Sequence, residues 1–124
     1  TVPGCYESAV DLALGTLERG ALIGTNTTLG IIATNVQLSK AQLKKVAEMA
    51  HDGLARAVRP AHTLFDGDTI FAVSVTNAPK RSQEVTPQLI NKLGVAAAAA
   101  MQSAILNAVR LTSSVDGVPA QKDW

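Results

Sequence analysis

Two apolar, β-branched runs, residues 27–34 and 69–75, are the only strand-like segments in a chain of 124 residues. Helical patterns stand before, between and after them, giving the order helix, strand, helix, strand, helix. Two strands do not make a stable sheet alone. A chain of this kind therefore needs further strands, from another segment of a longer precursor or from another subunit. No internal repeat is detectable.

The first helical pattern covers residues 6–19, with Glu7 and Asp11 early, Arg19 late and Gly20 as a stop. Residues 24–26 then break it. The run 27–34 carries apolar groups on both faces and reads as a buried strand. Ser39 followed by Gln42 forms a capping box, and Leu43, Val46, Ala47, Ala50, Leu54, Ala57 and Val58 recur at helical spacing behind it. Pro60 ends that helix. Residues 62–68 read as a loop and 77–85 as a polar connection. Thr86 and Pro87 open a long helix to about residue 111, as cap and first helical residue. The polar, turn-rich residues 113–124 are expected to form a flexible tail.

Composition narrows the classes of function. Eleven basic and ten acidic residues leave a net charge of +1 with no basic stripe, and four aromatic residues offer no stacking platform, so nucleic acid is not an expected partner. Cys5 is the single cysteine, which excludes an internal disulfide framework and fits a reducing compartment. The alanine-rich span between Lys92 and Arg110 is interrupted by Gln102, Ser103 and Asn107 and reads as too short and too polar to cross a bilayer. The first residues do not resemble a signal peptide. The expectation is a soluble, cytoplasmic protein without membrane contact.

Two constellations could carry chemistry. In the first, Asn26-Thr27-Thr28 opens a strand. A threonine hydroxyl is a weak nucleophile, but the α-amine of an N-terminal threonine can act as its base. A chain that cuts itself before Thr27 gains that amine: the hydroxyl attacks the Asn26 carbonyl, and water hydrolyses the resulting ester. The competing reading makes Thr27 and Thr28 ordinary β-formers. In the second, Asp66 and Asp68 flank Gly67 and can converge as an acid–base or orienting pair, or else simply form a turn. His51 and His62 lack a partner at metal-ligand spacing and read as structural residues. Cys5 reads as an incidental thiol, and no phosphate-binding loop is present.

Three segments, taken in order, resemble one family. They are Asn26-Thr27-Thr28-Leu29-Gly30-Ile31-Ile32-Ala33-Thr34-Asn35, then Met49-Ala50-His51-Asp52-Gly53-Leu54-Ala55-Arg56-Ala57-Val58-Arg59-Pro60, and then His62-Thr63-Leu64-Phe65-Asp66-Gly67-Asp68-Thr69-Ile70-Phe71-Ala72. Over about residues 25–111 the chain resembles the catalytic β-subunit of the L-aminopeptidase/D-esterase family, which includes β-peptidyl aminopeptidases and nylon-oligomer hydrolases. The resemblance implies an α+β fold built as an α/β/β/α sandwich, of which this chain is the C-terminal catalytic part. It implies self-cleavage between Asn26 and Thr27, with Thr27 as nucleophile and Asp66 and Asp68 beside it. It further implies a peptide or amide substrate, no metal or organic cofactor, and an upstream α-portion of the same precursor carrying an oxyanion-binding asparagine.

On this reading residues 1–26 are an upstream segment, 27–112 the catalytic domain and 113–124 the tail. Residues 1–26 do not match the family's α-portion, and as written they still precede Thr27. The unfilled sheet and the alanine-rich helix point to burial against partners, including further copies of the chain. Two alternatives remain: an acyltransferase resembling the glutamate N-acetyltransferases, which also cleave before a threonine, and a non-catalytic fragment.

Overall fold

A computed structural model of the chain describes residues 27–75 and 84–123. Strand β1 (Leu29–Thr34), helix α1 (Lys40–Ala57), strand β2 (Thr69–Ser74) and helix α2 (Pro87–Arg110) follow in that order, with a short 3₁₀ turn at Gln121–Asp123. The class is α+β. The helix expected over residues 6–19 lies outside the described residues, as do Cys5 and Asn26.

Local chemistry sets both helix starts. The Ser39 hydroxyl accepts from the Gln42 N–H at 3.3 Å while the Gln42 side chain accepts from the Ser39 N–H at 2.8 Å, completing the expected capping box. The helix stops at Ala57, with Val58 in extended backbone two residues before Pro60. Thr86 caps α2 by accepting from the Leu89 N–H at 3.3 Å, and Pro87 occupies the first turn, where a missing N–H costs nothing.

β1 and β2 pair in parallel, with Leu29 opposite Thr69 and Thr34 opposite Ser74. The connection between them is α1, as a parallel pair requires. Side chains alternate across the pleat. Gly30, Ile32, Ile70 and Ala72 point to the helices, where Ile70 joins Leu38, Val46, Ala50, Leu54, Ala97 and Met101 in one core. The opposite face has no layer packed on it among the described residues: Leu29 is 73% exposed, Ile31 71% and Phe71 60%. The expectation of a strand buried on both faces thus fails for β1 among the described residues. Its apolar groups do line both faces, but only one of them has a layer packed on it.

α1 and α2 cross at close range. A Cβ on Gly53 would collide with the Ala98 carbonyl oxygen and stand 2.9 Å from the Ala98 carbonyl carbon. A Cβ on Gly94 would instead strike the Met49 side chain, whose Cβ lies 3.0 Å away. The long helix also corrects one sequence expectation. It begins at Pro87 as expected, but taken whole, rather than as the span between Lys92 and Arg110, it is long and apolar enough to cross a membrane by length and composition alone. Its Gly94, Ala97, Ala98 and Met101 are buried, Ala97 and Met101 within the core shared with α1.

Residues 113–123, expected as a flexible tail, hold local structure. Val115 and Val118 form an antiparallel bridge, the Ser114 hydroxyl accepts from the Ala120 N–H at 2.8 Å and also bonds Asp123, and Ala120 is buried.

The crossing generates a prediction about two glycines. Mid-helix glycine is worth about 1 kcal/mol less than alanine, so substitution gains that much in propensity. At Gly53 the new methyl meets backbone, which cannot move aside, and overpacking of about 1–3 kcal/mol outweighs the gain. At Gly94 the obstacle is a flexible thioether chain. Urea unfolding of the full-length precursor is expected to show Gly53→Ala clearly destabilised and Gly94→Ala closer to neutral.

Candidate active site

The start of β1 and the start of β2 lie side by side, and this adjacency builds the site. Thr27 is exposed, just before the first strand residues. Thr28 is fixed from both sides: its carbonyl accepts from the Thr69 N–H at 2.9 Å, and its own N–H donates to Asp68 Oδ1 at 2.8 Å. The Asp68 carboxylate thus takes the place of a further ladder partner at the strand's end. Its side chain is only 9% exposed, so little water competes for the bond. Hydrogen bonds to charged groups contribute about 1.5–3 kcal/mol.

Asp66 behaves differently. Its Oδ2 accepts from the Thr63 N–H at 2.7 Å, and its own N–H donates to the Thr63 carbonyl at 3.2 Å. It closes a turn over residues 63–66, and among the described residues no hydrogen bond joins it to Thr27 or Thr28. The two carboxylates of Asp66-Gly67-Asp68 therefore have different partners and do not share one. Asp66 shapes the loop, and Asp68 reaches the strand that carries Thr27.

The two histidines join this cluster. His62 Nδ1 stands 3.9 Å from Asp68 Oδ2, and the His62 ring lies 5.1 Å from the ring of His51 on α1, tilted by 59°. Sequence reasoning treated them as separate structural residues. No spacing rule pairs positions 51 and 62; the turn after α1 brings them together, and the only local signal was that His62 opens the loop leading to Asp68. Among the described residues no group of three or more His, Cys, Asp or Glu could hold a metal ion.

A family model for peptidase family S58 matches residues 6–122. The chain belongs to peptidase family S58. An uncharacterized aminopeptidase of Mycobacterium tuberculosis is 40% identical over 105 residues, covering 79% of this chain and 30% of that protein. An uncharacterized aminopeptidase of Mycobacterium leprae is 42% identical over 108 residues, covering 82% of this chain and 30% of that protein. A 6-aminohexanoate-oligomer endohydrolase of Kocuria sp. is 34% identical over 90 residues, covering 68% and 25%. This chain thus spans about a third or less of the length of these relatives. The family match also starts at residue 6, so it takes in most of the upstream segment that the sequence resemblance left unassigned, and it continues through the tail. None of these three relatives is named an acyltransferase, and nothing in the match favours that alternative.

The Thr28–Asp68 bond can be tested directly. Asp68→Ala leaves the half-buried Thr28 N–H without its acceptor, and a loss of about 1–3 kcal/mol is expected in unfolding of the full-length precursor. Asp68→Asn keeps an acceptor oxygen in the same place, so it is expected to lose distinctly less.

Proposed function

We propose that this chain is the nucleophile-bearing part of a self-processing amidohydrolase of the aminopeptidase type, with Thr27 as the nucleophile. The observation that carries the reading is the Thr28 N–H bond to Asp68, which sets a scarcely exposed carboxylate beside the residue that follows Thr27. The peptidase family match and the names of the relatives support the same class of chemistry.

In the proposed sequence the Thr27 hydroxyl attacks the Asn26 carbonyl, and the peptide nitrogen of Thr27 leaves, taking up a proton to become the free α-amine. Water then hydrolyses the Asn26 ester, restoring the hydroxyl. In turnover the α-amine takes the hydroxyl proton as Thr27 attacks a substrate amide. The substrate's amine departs with a proton, and a second water releases the acid from the acyl-enzyme. Asp68 orients the strand end, and Asp66 holds the loop that presents Asp68. No metal or organic cofactor takes part.

The bare sheet face fits completion by a second sheet from the upstream α-portion of the precursor, which would give the α/β/β/α sandwich. We assign the assembled protein a cytoplasmic location and a homo-oligomeric state, the α-portion and further copies of the chain being its partners. The substrate class is a peptide or small amide.

In the full-length precursor, Thr27→Ala is expected to abolish the fragment beginning at residue 27 in mass spectra. The same variant is expected to lower release of p-nitroaniline from amino-acid anilides by at least about a thousand-fold, as loss of a nucleophile does elsewhere. Thr27→Ser keeps a hydroxyl and is expected to retain both. Undiminished hydrolysis in Thr27→Ala would refute the assignment, and acetyl transfer from N-acetylornithine to glutamate without anilide hydrolysis would favour the acyltransferase.

A further inference from the structure

We infer that His62 is a positioning residue: its Nδ1 nitrogen, set against the second oxygen of Asp68, keeps the first oxygen on the Thr28 N–H and so holds the strand end that carries Thr27. The inference rests on the reading of Thr27 as nucleophile.

The argument begins with the unequal partners of the Asp68 carboxylate. Oδ1 accepts from Thr28 at 2.8 Å, whereas Oδ2 makes no hydrogen bond among the described residues and faces the His62 imidazole at 3.9 Å. A carboxylate held through one oxygen pivots about its last side-chain bond, and a ring set against the second oxygen limits that motion. That separation is longer than a hydrogen bond. It closes to a direct hydrogen bond with a shift of about 1 Å, and catalytic contacts commonly tighten in this way once substrate is bound.

His62 is itself held in an unusual way. Its backbone lies in the left-handed region, at φ 59°, which costs most residues about 1–2 kcal/mol. Asparagine, aspartate and histidine are the side chains that enter this region most readily. The left-handed turn aims the ring between helix α1 and the carboxylate, and the tilted His51 ring packs beside it. The titratable groups facing His62 are thus Asp68 from the loop before β2 and His51 from α1. Among the described residues it has no other ion-pair partner.

A histidine serving only the turn would be replaceable by any residue that accepts a positive φ. One serving Asp68 needs a donor at the Nδ1 position. Two substitutions separate these roles without straining the backbone: His62→Gly accepts the left-handed conformation and removes the ring, whereas His62→Asn accepts it and puts an amide N–H where Nδ1 sits.

The full-length precursor carrying each change is followed for self-cleavage rate by mass spectrometry, and the processed enzyme for kcat and KM on an amino-acid p-nitroanilide, with thermal unfolding as a check on folding. His62→Gly is expected to unfold within a few degrees of the wild type, to cleave itself at least ten-fold more slowly, and to lose at least ten-fold in kcat with KM within about two-fold. His62→Asn is expected to recover most of both rates. Rates within two-fold of the wild type in His62→Gly, or a folded His62→Asn no faster than His62→Gly, would overturn the inference. A wild-type precursor that neither cleaves itself nor hydrolyses the anilide removes the Thr27 reading, and the role of His62 falls with it.

Discussion

The arrangement of the described residues depends on how closely α1 and α2 approach at Gly53 and Ala98. The two largest fully buried side chains are Leu54 and Val46, and the rest of the core is alanine, leucine, isoleucine and methionine. With so few aromatic rings, this interior is filled by bringing backbones together rather than by bulky groups. Gly53 admits the Ala98 carbonyl, and Gly30 leaves room for Met101 to lie on β1 next to Ile70. The helix pair thereby rests on the sheet in one piece, and the two strands meet in the register that puts Asp68 against Thr28.

What could be read from the sequence was local. Ser39 with Gln42, Thr86 with Pro87, and Pro60 each act over a few residues, and each sets an element boundary where the pattern placed it. The β-branched runs became strands for the same reason. Relations between distant residues were not legible. Nothing in Asp66-Gly67-Asp68 distinguishes its carboxylates, yet one bonds a backbone amide 40 positions away while the other turns back on Thr63. The pairing of His51 with His62 depends on where the chain goes after α1. Thr27 marks the boundary of what pattern can show: its residue type suits a strand, and its chemical interest comes from lying at the strand's exposed end.

The apolar groups on the outer sheet face follow from the same period-two alternation that fills the core. Leu29 and Ile31 on β1 and Phe71 and Val73 on β2 are as suited to burial as Ile70 is. The run looked buried on both sides because its composition is that of a strand with a layer on each side. One of those layers is present among the described residues, in a chain that spans about 30% of its mycobacterial relatives.

The double anchoring of Thr28 has a consequence for a break in the chain just upstream. A newly cut polypeptide end ordinarily frays, because the residues nearest the cut lose the neighbour that restrained them. Here the Asp68 oxygen and the Thr69 amide both grip the chain on the downstream side. Neither bond involves the atoms of a scission before Thr27. The end so made would be tethered one residue from its tip, its orientation settled before it existed as a terminus, and the entropy of placing a reactive group would already have been spent in folding.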